Sequence, residues 1–284
     1  MPTLYSHSRL SSFENCPKQF HFRYVLKVPQ ESEGIEAFMG KRVHEVLERL
    51  YVFARRRQIP SIGKVVARYY AFWEEHFDEE RVRIVRRDRK ADSYRELGAR
   101  CLEGYYQRHF PFDGDETLAI EERVIFELDS AGRYRMQGII DRLVRDRDGT
   151  VEIHDYKTGR YLPPQKQLDV DRQLALYQIG LEKRFGPDQP MRLVWHYLQQ
   201  GKRVSSTRSP EQLDALRADT IGVIERVEAE EEFSTRRGKL CDWCEYKVYC
   251  PEFGGSLPPS EARTRKAKPP NEKAAPGDDQ LDLV

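Results

Sequence analysis

Two spacings of apolar residues alternate along this chain, and the changeovers between them outline its parts. Over residues 37–57, Val43, Val46, Leu47, Leu50 and Tyr51 recur at helical spacing, which predicts an amphipathic helix. Residues 62–77 and 93–110 predict two more helices, with a strongly basic stretch at 81–90 between them. The pattern then turns β-branched. Residues 118–128, 134–144 and 151–156 predict strands, with Asp148-Gly149 as a hairpin turn between the last two. Residues 165–184 return to a helix. Residues 192–199 predict a strand paired with 202–207 across Gln200-Gly201, and 210–232 a helix that Ser209 caps. Before all this, residues 8–24 are an aromatic lead-in, short-helical or irregular. After it comes a cysteine-rich knot at 240–253. From Gly254 onward large apolar residues nearly vanish, which predicts a disordered tail. There is no internal repeat. The order predicts an α/β fold: a mixed β-sheet flanked by helices, a helical insertion at about 37–110 and a C-terminal cysteine knot, all in one domain spanning 1–253.

Composition narrows the function classes. Of 284 residues 33% are charged, yet the net charge is only +1, so any nucleic-acid surface must come from local clustering of Arg and Lys. Residues 81–90 read equally as a phosphate-tracking segment and as a solvated loop. Phe20, Phe22 and Tyr24 read first as core and second as base-stacking groups. No apolar run reaches the roughly 18 residues of a membrane span. The N-terminus lacks a signal-peptide pattern, so a cytoplasmic protein without membrane contact is expected. Five cysteines in that compartment point to metal ligation before disulfides.

The densest chemistry lies at Gly138-Ile-Ile-Asp141-Arg142 and His154-Asp155-Tyr156-Lys157-Thr158-Gly159. Residues two apart on a strand share a face, so Asp155 and Lys157 point one way and His154 and Tyr156 the other. Asp141, on the neighbouring strand, can stand beside Asp155. Two carboxylates at that distance repel unless a hard cation lies between them, and Mg²⁺ or Mn²⁺ takes such oxygen ligands. Water on such a cation is a usable nucleophile near neutral pH. Lys157 could orient that water, deprotonate it, or oppose developing phosphate charge. Taken alone, an Asp-x-Lys strand is most often a surface ion pair. His44 reads first as a half-buried hydrogen-bonded histidine and second as a third ligand at the sheet margin. Glu45 and Glu48 read as solvated helix charges, with Glu48 one turn from His44.

Taken together these segments resemble the PD-(D/E)xK nuclease superfamily, in its RecB-like branch, which includes the nuclease domains of RecB and AddB and the CRISPR-associated RecB-like exonucleases. The resemblance covers most of residues 3–253. It is carried by an opening motif from Ser6 to Phe20 that contains Cys16-Pro17, by Gly40-Lys-Arg-Val-His44-Glu45, Gly138-Ile-Ile-Asp141-Arg142 and Asp155-Tyr156-Lys157-Thr158-Gly159, and by Gln173-Leu-Ala-Leu-Tyr177. It implies a restriction-endonuclease-like core, with His44, Asp141 and Asp155 as metal ligands, Lys157 as the catalytic lysine, and Gln173 and Tyr177 lining the site and holding DNA. The implied activity is a metal-dependent deoxyribonuclease, an exonuclease on single strands or ends, in DNA repair or recombination. CRISPR spacer acquisition is the close alternative, and a cluster-stabilised DNA-end-binding subunit is the alternative of another class. There is no Gly-x-x-x-x-Gly-Lys-Ser/Thr motif, so duplex unwinding would need a separate helicase.

Cys241, Cys244 and Cys250 supply three thiolates, and a four-coordinate site needs a fourth, for which Cys16 is the natural partner. Cys101, beside Leu102 and Tyr105, reads as an inert buried thiol. Spacing leaves zinc open; the resemblance implies a 4Fe-4S cluster that staples the chain's two ends. At the far end, Gln280-Leu281-Asp282-Leu283-Val284 resembles the bacterial sliding-clamp-binding peptide, with Val284 where phenylalanine is usual.

Overall fold

The structure is a computed structural model that describes residues 3–257. Gln280, Leu281 and Leu283 lie outside them. The lead-in opens with a strand the apolar pattern did not announce, β1 (Leu4–Ser6). Ser6 then caps α1 (His7–Asn15), accepting a hydrogen bond from Arg9 N and satisfying one of the open amides of the first turn. Cys16 separates α1 from α2 (Pro17–Phe20), where Pro17 sits in the first turn, a position that needs no N–H. A single π-helical turn, His21–Val25, completes the segment.

The expected insertion is a packed layer of three helices, α3 (Ile35–Arg55), α4 (Ile62–His76) and α5 (Ala91–His109). Two short parallel strands, β2 (Glu33–Gly34) before α3 and β3 (Val82–Arg83) between α4 and α5, pair with each other. Phe38, Leu47, Tyr69, Trp73 and Leu102 fill the space between the helices.

The main sheet contains β1, β4 (Glu116–Glu127), β5 (Arg135–Arg145), β6 (Val151–Lys157), β7 (Met191–Tyr197) and β8 (Lys202–Ser206). It is mixed: β6 and β7 run parallel, as do β1 and β5, and the remaining pairs are antiparallel. A parallel pair needs a crossover, supplied by α6 (Gln165–Leu168) and α7 (Arg172–Phe185). The single helix expected over 165–184 is therefore two. Asp171 breaks it by capping α7, its carboxylate accepting from Gln173 N at 3.0 Å. The last helix, α8 (Pro210–Ala229), begins with the expected Ser209 cap, reinforced by Gln212 as a capping box.

α1, α7 and α8 share one core with Leu143, Ile153, Leu193 and Trp195 of the sheet. The insertion packs against the other face, where Tyr156 and Leu198 meet it. No helix among the described residues is long and apolar enough to cross a membrane.

Candidate active site

The site forms where β5 forks. β4 runs along one edge of β5. The other edge is shared: β6 pairs with Arg142–Arg145 and β1 with Arg135–Gln137. Residues 138–141 lie in the gap. Here the alternation of β5 also slips, because Tyr134, Met136 and Ile140 enter the same core as Leu143, which has the opposite parity. On β4, Glu121 has φ 49, in the left-handed region that non-glycine residues seldom occupy. Ile120 pairs with Arg142 and Glu122 with Ile140, so Glu121 stands opposite Asp141 at the slip. Irregular strand backbone of this kind re-aims side chains at functional sites.

The resulting geometry joins most of the residues singled out in the sequence. Asp141 Oδ2 accepts from the backbone N–H of Tyr156 at 2.8 Å and lies 3.5 Å from His44 Nδ1. His44 reaches in from α3, and its Nε2 is 2.8 Å from the Tyr156 carbonyl oxygen. Burial pulls the His44 pKa down, but the Asp141 carboxylate, the hydrogen bond to it and the nearby Asp155 outweigh this and raise it to about 9. His44 therefore stands at the sheet margin with both ring nitrogens on oxygens. Asp155, on β6, is 5% exposed. Its Oδ1 accepts from Lys157 Nζ at 3.0 Å and from Gln173 Nε2 at 3.2 Å. Burial, then the neighbouring Asp141, raise its pKa. Burial opposes the charge on Lys157, but Asp155 prevails and raises its pKa. Gln173 also accepts from Lys157 at 2.8 Å, so one amide orients both members of the Asp-x-Lys pair. Tyr177 lies one turn along α7, its hydroxyl 3.5 Å from Gln173 Nε2. Its ring rests on Gly138, where an added Cβ would come within 2.0 Å of it, so this glycine is required for the close approach.

One residue at the site escaped the sequence reading. His44, Glu121 and Asp141 each offer a ligand atom within 4.8 Å of the others, close to the spacing that ligands on one ion require. Asp155 stands beside this group rather than within it. Its Oδ2 is buried and has no hydrogen-bond partner, although Lys157 Nζ lies 2.8 Å away in an ion pair. A carboxylate oxygen in that condition, next to two more acidic groups and a histidine, suits a hard divalent cation. Glu121 could have been found only from the β4–β5 register, and the seven-residue connection between those strands conceals that register.

The cysteines gather at the other end of α1. Lys18 N donates to the Ser234 carbonyl at 3.1 Å, Gln19 Nε2 to Glu245 at 3.0 Å, and Arg23 pairs with Glu245. Phe22, Val28 and Tyr246 form a small core of their own. These contacts bring Cys16 next to the C-terminal thiols. Burial, then the Glu245 carboxylate with Cys16 and Cys250 nearby, raises the Cys244 pKa to about 11, and burial with Cys16 and Cys241 nearby raises that of Cys250. Cys101 is buried on α5 and apart from them.

A mixed sheet that forks to bring carboxylates, a lysine and a helix-borne histidine together offers a candidate acidic site for a divalent metal. A profile of the PD-(D/E)XK nuclease superfamily matches residues 4–251, and the chain belongs to that superfamily. Membership implies a hydrolase with nuclease activity, and such nucleases usually use divalent metals. Among solved structures, a protein from Eubacterium rectale described as a candidate exonuclease is 11% identical, with a TM-score of 0.49 over 86% of this chain and 87% of that one. The protein SSO0001 is 19% identical, with a TM-score of 0.35 over 67% of this chain and 94% of that one. No curated protein sequence matches.

Proposed function

We propose that the chain is a Mg²⁺- or Mn²⁺-dependent deoxyribonuclease of the RecB-like branch, acting as an exonuclease on single strands or DNA ends in repair or recombination. The observation that carries this reading is the meeting of His44, Asp141, Asp155 and Lys157 at the fork of β5 and β6. His44 and Asp141 would hold the ion together with Asp155, whose open Oδ2 borders the group, and Glu121 offers a further ligand atom. When bound, the ion supplies a Lewis acid and a water of lowered pKa. Lys157 has three N–H directions; Asp155 and Gln173 engage two, and the third would be available to a phosphate oxygen whose charge grows in the transition state. Gln173 keeps that ammonium aimed, and Tyr177 borders the strand it acts on. DNA is the partner, and a separate helicase would open duplexes. A sliding clamp would be engaged through Gln280, Leu281 and Leu283. A reducing cytoplasm is the setting that metal-ligating cysteines favour.

Cys16, Cys241, Cys244 and Cys250 hold a 4Fe-4S cluster, with zinc as the rival. The resemblance to RecB-like nucleases favours the cluster.

The test is cleavage of end-labelled single- and double-stranded DNA by anaerobically purified protein, with Mg²⁺, Mn²⁺ or EDTA, beside Lys157→Ala. Metal-dependent cleavage that vanishes in the variant supports the enzyme. Cleavage that persists in EDTA or in Lys157→Ala overturns this use of the site. In the same preparation, iron and sulfide in equal amounts support the cluster, and one zinc per chain overturns it.

A further inference from the structure

Beside Lys157 the fold leaves a cleft of about 370 Å³, within the usual range of small-ligand sites. Lys157 and Gln173 line it, so it opens onto the reacting centre. Trp195 and Tyr197 also line it, and they stand in register with Asp155 and Lys157 on the adjacent strand β7. Tyr161 and Pro163 contribute from the loop after β6. Tyr161 is 65% exposed. It is nonetheless held: Gln199 and Gln200 donate to the carbonyl oxygens of Thr158 and Arg160 at 2.6 Å each, and the Tyr161 hydroxyl donates to Gln167 Oε1 at 3.1 Å. An aromatic ring fixed at the rim of a cleft, rather than folded into the core, is already ordered for a ligand.

We propose that this cleft takes the unpaired nucleobase next to the scissile phosphate, stacked on Tyr161, and that it thereby selects single-stranded ends. The inference rests on the nuclease reading. A phosphate at Lys157 puts the adjoining base one sugar away, at the mouth of the cleft. Every base has a π-face, so an aromatic wall binds without demanding a sequence. The Arg160 side chain, exposed at the same rim, can meet the next phosphate. A base inside a duplex is stacked on both faces and paired, and it can enter only by leaving the helix. Duplex ends would be used only as they fray.

The experiment uses the full-length protein and its Tyr161→Ala and Tyr161→Phe variants. Single-stranded oligonucleotides carry a normal or an abasic residue beside the cleaved bond. Tyr161→Ala should raise KM about ten-fold with kcat changed less than about two-fold, and Tyr161→Phe, which keeps the ring but loses the hydroxyl bond to Gln167, should raise KM less than about three-fold. The abasic residue should raise the wild-type KM by a similar factor and add almost nothing in Tyr161→Ala. Multiplying losses, or an unchanged KM in Tyr161→Ala, overturns the proposal. Binding of a 2-aminopurine oligonucleotide in EDTA reads base capture without cleavage. Quenching that depends on Tyr161 in a protein that never cleaves supports the cleft and sinks the nuclease reading. Cleavage without Tyr161-dependent quenching sinks the cleft alone. Neither quenching nor cleavage sinks both.

Discussion

On one face of β6, Asp155 and Lys157 are held by each other and by Gln173, and Asp155 Oδ2 is left without a hydrogen bond. On the other face, His154 donates from Nε2 to Glu152 at 2.8 Å, and its Nδ1 meets Arg142 at 3.0 Å and His196 at 2.9 Å. Arg203 and Arg192 close on Glu152 from outside. Arg142 also stacks 4.0 Å over the Tyr51 ring. Both faces bury titratable groups, and each leaves one atom open: Asp155 Oδ2 on the first and Arg142 Nε on the second. Buried charge is tolerated when it is paired and hydrogen-bonded. The open atom of the first face is a carboxylate oxygen beside other acidic groups, which suits a cation, while that of the second belongs to a guanidinium packed over the Tyr51 ring.

Substitutions can break this contrast. The largest expected effect is Lys157→Ala, which should reduce cleavage by at least about 10²–10³-fold while the thermal midpoint stays close to wild type. Assay and melting on the same sample check it. Gly138→Ala pushes a methyl into the Tyr177 ring and should cost about 1–3 kcal/mol of stability as well as activity, read by denaturant unfolding and kcat/KM. Glu152→Ala should act on stability alone, by about 2 kcal/mol, since it strips His154 and two half-exposed arginines of their shared acceptor. The specific activity of its folded fraction should remain near wild type; a loss like that of Lys157→Ala would erase the distinction between the faces.

The smallest effect is a pH dependence in which His44 and the buried histidines act with opposite sign. Burial, then Arg142, lower the His154 pKa to about 3, and burial lowers that of His109 to about 4. Unfolding lets these side chains bind protons, so their contribution is complete above an unfolded pKa of about 6.5 and is lost as pH falls toward 4 and 3. His44 is raised to about 9, so its contribution is complete below about 6.5 and is lost as pH rises through 9. Melting in EDTA should therefore peak near neutrality, and His44→Asn should flatten only the alkaline limb. Loss of the acid limb in that variant would mean that His44 and the buried histidines do not titrate separately.

Particular elements explain what was legible. The amphipathic stripe of α3 declared His44 and its helix together, because a 3.6-residue period is local. The Asp-x-Lys alternation declared that Asp155 and Lys157 share a face, because a strand's period is two. β1 was not legible: three residues, Leu4–Ser6, become a strand only because β5 offers them an edge. The break at Asp169–Asp171 was hidden inside a continuous apolar pattern, and the Asp171 cap decided it.

By itself, the sequence determined the main helices and strands, the Ser209 cap, the candidate carboxylates, lysine and thiols, and the superfamily they announce, because each depends on neighbours a few positions away. Tertiary structure alone decided that Glu121 joins His44 and Asp141, that Asp155 keeps an unsatisfied oxygen, that Cys16 meets thiols more than two hundred residues away, and that Tyr161 stands over a cleft beside Lys157. Each of those depends on strand register, the fork in β5 or the packing of distant segments, and no local period encodes such distances.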